Sequence, residues 1–160
     1  MIHNIQNTNI IDGQKIVFTI IDSFDDKDVT QSYGFCFTHD GKLLIGRRPD
    51  GLYGFPGGTR ETGESLLQTL TRELDEEINV RIVDYGFIGA QRVEEPSRTH
   101  VQVRFACIVE CEALTPDPDF GKSWERIAID PNDFARYFDW GVTGQYFLER
   151  AVEWFLSRKT

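Results

Sequence analysis

The chain has 160 residues, 40% hydrophobic and 27% charged, enough for one domain whose core needs neither disulfide nor structural metal. A formal net charge of -9 excludes a sequence-independent grip on nucleic acid and docking on an anionic membrane, since both draw on clustered Lys and Arg. No apolar run approaches the roughly 20 residues of a membrane span. The start, MIHNIQNTNI, lacks a secretory pattern, and three cysteines without CxxC spacing point to a reduced, cytoplasmic protein.

Lys15 to Asp22 (KIVFTIID) is rich in β-branched side chains and reads as a strand. It lies in an N-terminal extension, residues 1–31, that can add a strand to a sheet or meet a second subunit. Tyr33 to Thr38 and Leu43 to Arg48 read as strands joined by His39-Asp40-Gly41-Lys42, whose Asp-Gly pair signals a tight hairpin. Gly and Pro dominate Pro49 to Gly58, which predicts a loop. Ser65 to Ile78 is the clearest helix. Leu66, Leu67, Leu70, Leu74 and Ile78 form one apolar stripe, and Ser65 with Gln68 fits a capping box.

From His100 to Cys111 the residues alternate. Val101, Val103, Phe105, Cys107, Val109 and Cys111 share one face, with Gln102, Arg104 and Glu110 on the other. That pattern predicts a half-buried strand with Cys107 and Cys111 in the core. A Pro/Asp/Gly loop follows at Pro116 to Lys122, then a short strand, Arg126 to Ile129, and an amphipathic helix, Thr143 to Arg158. Strands outnumber helices without regular alternation. The fold class is therefore α+β, or an α/β mixed-sheet sandwich between helices, in a single domain spanning 1–160.

The last turns of the first helix break two local rules. Glu73, Glu76 and Glu77 are spaced to share a face, where like charges repel by some tenths of a kcal/mol. They also crowd the negative end of the helix dipole, which favours Lys or Arg. The spacing alone leaves two readings open. These are solvated glutamates, or they are hard oxygen ligands for Mg²⁺, Mn²⁺ or Ca²⁺; zinc is disfavoured without His or Cys nearby. Upstream, Gly54-Phe55-Pro56-Gly57-Gly58 can bring backbone close to a ligand and leads through Arg60, Glu61 and Glu64 into the acidic helix.

The register of these residues resembles the signature of the Nudix hydrolases: Gly, five residues, Glu, seven residues, Arg-Glu, an aliphatic residue, any residue, Glu-Glu, any residue, Gly, and a final aliphatic residue. Gly58, Glu64, Arg72-Glu73, Leu74, Glu76-Glu77 and Val80 fall in place. The closing Gly is Asn79, the best non-glycine substitute for a left-handed helix end, so Asn79→Gly is expected to preserve activity. Order of elements extends the resemblance from about Ser32 onward, toward a mixed sheet between helices.

The resemblance implies hydrolysis of a nucleoside diphosphate linked to a group X, by water attack on phosphorus, with Mg²⁺ or Mn²⁺ as cofactor and a nucleoside monophosphate as product. It implies Glu73 and Glu77 as principal metal ligands, Glu76 as a further ligand or the base, and the Gly57 carbonyl as an extra ligand. Glu64 and Arg72 orient loop and helix. Some members place another catalytic glutamate downstream, for which Glu94, Glu95 and Glu125 are candidates, Glu125 first. Arg47, Arg48 and Arg60 are candidate phosphate partners, and Tyr53, Phe55 and Trp124 candidate base-stacking residues. Pro96 lies where members acting on ADP-ribose tend to carry proline. The expected partner is thus a small nucleotide, ADP-ribose-like or a (modified) nucleoside triphosphate, in a monomer or, on family grounds only, a homodimer. The alternative is a non-catalytic Nudix-fold nucleotide sensor, against which the intact carboxylate set speaks. A protein-interaction helix would leave the glycines and Arg72 unexplained.

Overall fold

In the computed structural model, which describes residues 5–159, nine strands join one mixed sheet. They are β1 (Gln6–Ile11), β2 (Gln14–Ile21), β3 (Val29–Phe37), β4 (Leu43–Arg47), β5 (Tyr53–Gly54), β6 (Gly57–Thr59), β7 (Val80–Glu94), β8 (Thr99–Cys111) and β9 (Glu125–Ile129). Their spatial order is β1-β2-β7-β8-β3-β4-β5, with β6 paired to β3 and β9 to β4. Only β3 and β8 run parallel; the other pairs are antiparallel. The mixed-sheet class expected from the sequence is the one observed. Residues 1–31 supply β1 and β2, a hairpin that continues the sheet beyond β7.

Two helices cover opposite faces. α1 (Leu66–Ile78) buries Leu70, Leu74 and Ile78 against Cys36, Val103, Cys107 and Val109. α2 (Gly141–Arg158) buries Phe147, Leu148, Ala151 and Phe155 against Phe35, Phe37, Ile45 and Ala106. Adjacent residues of one strand therefore face different helices, as the two-residue period of a strand requires. A 3₁₀ segment, Pro131–Arg136, precedes α2 and adds Phe134 to the second core. Among the described residues, no helix is long and apolar enough to cross a membrane.

Three expectations change. β8 is central rather than half-buried: α2 covers the face carrying Arg104 and Ala106, and both are buried. Cys107 is in the core, but Cys111, at the end of the strand, is exposed. The Pro49–Gly58 loop contains two short strands, β5 and β6, because its glycines pair with β4 and β3.

Candidate active site

α1 begins in a capping box. Ser65 Oγ accepts from Gln68 N–H at 3.1 Å and Gln68 Oε1 accepts from Ser65 N–H at 2.8 Å. It ends at Asn79, left-handed at φ 50° and ψ 60°. The Asn79 side chain does more than tolerate that geometry. Its Nδ2 donates to Asp75 O at 2.6 Å and to Thr115 Oγ1 at 2.8 Å, and its Oδ1 accepts from Thr115 N–H at 2.8 Å. The helix end is thereby tied to the loop that runs toward Asp117 and Asp119.

Between these ends lies the charged cluster. Arg72 makes a bidentate pair with Glu64, Nε to Oε2 at 2.8 Å and Nη2 to Oε1 at 2.9 Å. Its Nη1 also donates to Glu73 at 3.0 Å and Glu76 at 3.4 Å, and its Nη2 donates to Thr59 O at 3.0 Å. The bonds from Arg72 hold the Glu64 carboxyl down to about 2. Glu77 differs. Its Oε1 accepts from Gly57 N–H at 2.7 Å, and burial pushes its carboxyl up to about 9, with the charges of Glu73, Asp117 and Glu76 adding to the rise. Burial raises Glu73 and Glu76 as well.

The paired glycines follow from this packing. A Cβ on Gly58 would lie 2.6 Å from the Glu73 carboxyl carbon, and one on Gly57, at φ 141°, would lie 2.4 Å from Ser32 O. A side chain at Gly57 would run into the β3 backbone, and one at Gly58 would displace the Glu73 carboxylate.

A cleft of about 620 Å³ opens beside Glu77 and Gly57. Tyr33, Phe55, Trp124 and Trp140 form aromatic walls, and Arg48, Asp119 and Phe120 stand at one side. Asn7, Asn9 and Phe18, from the N-terminal hairpin, line it as well. Gln91, Gln102 and Arg104, from β7 and β8, line it from the sheet.

Of the residues singled out in the sequence, Glu77, Gly57, Arg48, Tyr53, Phe55 and Trp124 line this cleft, and Glu64, Arg72, Glu73 and Glu76 form the adjoining cluster. Arg47, Arg60 and Glu125 do not line it. Arg60 is held by Asp26 and by Glu64 O, each at 2.8 Å, and the exposed Glu125 sits opposite Arg47 in the β4–β9 ladder. Glu94 pairs with Arg92, and Glu95 with Arg98 and His100, at the far end of β7. Pro96 is exposed in the following turn. Sequence reasoning missed Asp117 and Asp119, although their Pro/Asp loop was visible. Asp117 is buried, accepting from Trp124 Nε1 and Asp119 N–H, each at 2.8 Å. It also missed Gln102 and Arg104, on the polar face of a strand expected to be half-buried, and Gln91, which fell in no expected element.

The donor set suits a hard divalent cation. Three carboxylates have raised pKa values, two of them beside one guanidinium, and Asp117 and Asp119 add negative charge that destabilises their ionised forms further. Among the described residues, no three His, Cys, Asp or Glu side chains form a ready-made chelating cluster. Arg72 draws Glu73 and Glu76 toward itself, while Glu77 turns to Gly57.

The sequence matches the NUDIX domain family over residues 31–147. No curated protein matches it. Among solved structures, it resembles the Bacillus subtilis pyrophosphohydrolase BsRppH with a TM-score of 0.71 at 17% identity, over 88% of this chain and 92% of that one. The NUDIX domain of Shewanella oneidensis NrtR, complexed with ADP ribose, gives a TM-score of 0.60 at 21% identity, over 81% and 92%. A protein described as an ADP compounds hydrolase gives 0.59 at 17%, over 97% and 94%. At these identities the likeness is one of fold.

Proposed function

The chain belongs to the Nudix family, and on that premise we propose that it hydrolyses the diphosphate bond of a nucleoside diphosphate linked to a further group, in a divalent-cation-dependent reaction that releases a nucleoside monophosphate. The observation that carries this reading is the meeting of the α1 carboxylates with an aromatic cleft at Glu77 and Gly57. A pyrophosphohydrolase, an ADP compounds hydrolase and a NUDIX domain complexed with ADP ribose share the fold and support the substrate class.

Glu73, Glu76 and Glu77, with the Gly57 carbonyl, would hold Mg²⁺ or Mn²⁺, which neutralises the diphosphate and lowers the pKa of a bound water. The protein's own part is positioning, as substitution at phosphorus leaves side chains little covalent work. Arg72 and Glu64 lock the loop to the helix, so that Gly57 and Glu77 keep their spacing. The aromatic walls of the cleft supply faces on which the nucleoside can stack. Arg48, 2.6 Å from Asp50, stands at the side of the cleft where it can turn to a phosphate. Three free cysteines support a reducing location, the cytoplasm.

The test is direct. The protein is incubated with Mg²⁺ or Mn²⁺ and a panel of nucleoside triphosphates and diphosphate sugars, and products are identified by mass spectrometry. A nucleoside monophosphate, abolished by EDTA, is expected. Tight nucleotide binding without turnover of any substrate would replace the hydrolase with a sensor.

A further inference from the structure

The proposed chemistry leaves one part of the cleft without a task. On the sheet side, Gln31, Gln102 and Gln91 stand in register on β3, β8 and β7. Arg104, two residues beyond Gln102 on the same strand, shares their face. Arg104 and Gln91 are 3% and 4% exposed, and both line the cleft.

The direction of every hydrogen bond in this row follows from Arg104, which can only donate. Its Nη2 donates to Gln102 Oε1 at 3.0 Å, so Gln102 turns its amide nitrogen the other way, to Gln31 Oε1. Gln91 Nε2 donates to the same Gln102 Oε1 at 2.9 Å. That leaves Gln91 Oε1 buried without a partner, and Arg104 Nε is in the same condition. The remaining Arg104 bond, Nη1 to Val103 O, is stretched to 3.4 Å. No carboxylate among the described residues pairs with this guanidinium. Instead the rings of Tyr33, Trp140 and Phe147 lie 4.6, 5.3 and 5.4 Å from its Cζ.

The sheet thus lines the cleft with an under-used cationic donor and an unpartnered acceptor, on two side chains that meet at one oxygen, Gln102 Oε1. Buried polar atoms left in this state are costly, and a ligand that completes them gains that cost back. A phosphate matches the donor but not the acceptor, because Gln91 Oε1 would repel its oxygens. A nucleobase edge matches both.

We propose that Gln91, Gln102 and Arg104 read the base of the nucleotide, selecting an edge in which a carbonyl stands beside a ring N–H. Guanine, hypoxanthine and uracil carry that edge; adenine and cytosine carry an amino group beside a ring nitrogen acceptor. The carbonyl accepts from Arg104, as guanine O6 does from arginine in nucleic acids, and the ring N–H donates to Gln91 Oε1. An amino base can reach Gln91 but gives the buried cation only a ring nitrogen. Tyr33 and Trp140 supply faces for stacking. The inference rests on the nucleotide reading above, but not on hydrolysis.

Inosine and adenosine monophosphates differ only at this edge. They are also products rather than substrates of the proposed reaction, so their binding can be measured by titration calorimetry in Mg²⁺ buffer. Inosine monophosphate is expected to bind at least about tenfold more tightly, and Gln91→Met and Arg104→Gln are each expected to erase most of that ratio. Equal binding, tighter binding of adenosine monophosphate, or no binding of either overturns the assignment. If Arg104→Gln does not fold, Gln91→Met decides: a ratio unchanged in that variant overturns it as well. Inorganic pyrophosphate, weakened by Gln91→Met as much as inosine monophosphate, would give this floor to phosphate and sink the base reading. Hydrolysis without base preference refutes this inference alone; base preference without hydrolysis refutes the hydrolase alone.

Discussion

Glu64 and Glu77 flank the same helix and differ in what completes them. Glu64 accepts from Glu61 N–H, from Thr69 Oγ1 and twice from Arg72, and its carboxyl is held at about 2. Glu77 accepts from Gly57 N–H, is buried beside Glu73, Asp117 and Glu76, and is lifted to about 9. One glutamate is finished by the chain. The other has a backbone donor and, among the described residues, no cationic partner, and under the proposed function a cation completes it. A structural acid thus stands just before the helix and an uncompensated one near its end, and the acidic crowding that looked unfavourable in sequence belongs to the second.

Glu77→Gln should separate the two most sharply. The amide keeps the acceptor for Gly57 N–H but removes the charge, so turnover is expected to fall by roughly a thousandfold, the order of several kcal/mol that a metal supplies. The metal-free protein should melt higher at pH 8, because a carboxyl that resists ionisation has been removed. Unchanged turnover in steady-state assays would move the ligand role away from Glu77. Arg72→Met should do the reverse to stability. It strips Glu64, Glu73 and Glu76 of their cation and is expected to cost about 2 kcal/mol in urea unfolding, less than a fully buried pair because the cluster is partly exposed. Mg²⁺ should recover part of that loss if the same carboxylates bind it, and a loss indifferent to Mg²⁺ would separate the cluster from the metal.

The same contrast predicts opposite pH limbs. Glu77 is raised in the folded state, so unfolded chains release its proton near the ordinary carboxyl range while the native state keeps it until about 9. Its contribution is full below the unfolded value and is lost as pH rises through 9. Glu64 is depressed to about 2, so its contribution holds above the unfolded value and is lost as pH falls toward 2. Without cation, melting temperature should therefore decline from about pH 5 to pH 9, and Glu77→Gln or saturating Mg²⁺ should flatten that decline. A flat alkaline limb in the metal-free parent would show that Glu77 is ionised there.

The capping box, the apolar stripe of α1, the Asp40-Gly41 hairpin and the box register were legible because each depends on local spacing. Long-range pairing hid the rest. β7 carries Val83, Tyr85 and Phe87 on an exposed face, so its alternation does not mark a buried strand, and pairing with β8 and β2 defines it. Arg104 falls on the polar face of a strand that its alternation marks as half-buried, because nothing in its own strand announces that α2 will cover that face. Asp119 reaches the cleft through the buried turn that Asp117 makes with Trp124, a contact no periodicity encodes. Asn7 and Phe18 come from a hairpin outside the family match and line the cleft because β2 pairs with β7.

Asn79 gives the smallest expected effect and the finest division between cap and clamp. Glycine adopts the left-handed conformation freely, so Asn79→Gly keeps the helix end but deletes three hydrogen bonds, to Asp75 O and to both sides of Thr115. Arg126 still holds that end, since its Nη1 donates to the carbonyls of Ile78, Asn79 and Glu112 at 2.9, 3.1 and 2.9 Å. The cost should be about 1 kcal/mol, with turnover close to that of the parent. Asn79→Ala loses the same bonds and also strains the backbone, adding about 1 kcal/mol. If both variants unfold alike, the clamp to Thr115 carries the stabilisation and the left-handed geometry is incidental. If turnover falls in both while the melt barely moves, Asn79 acts through the 112–124 segment, and the placement of Asp119 beside Glu73 and Glu76 depends on it.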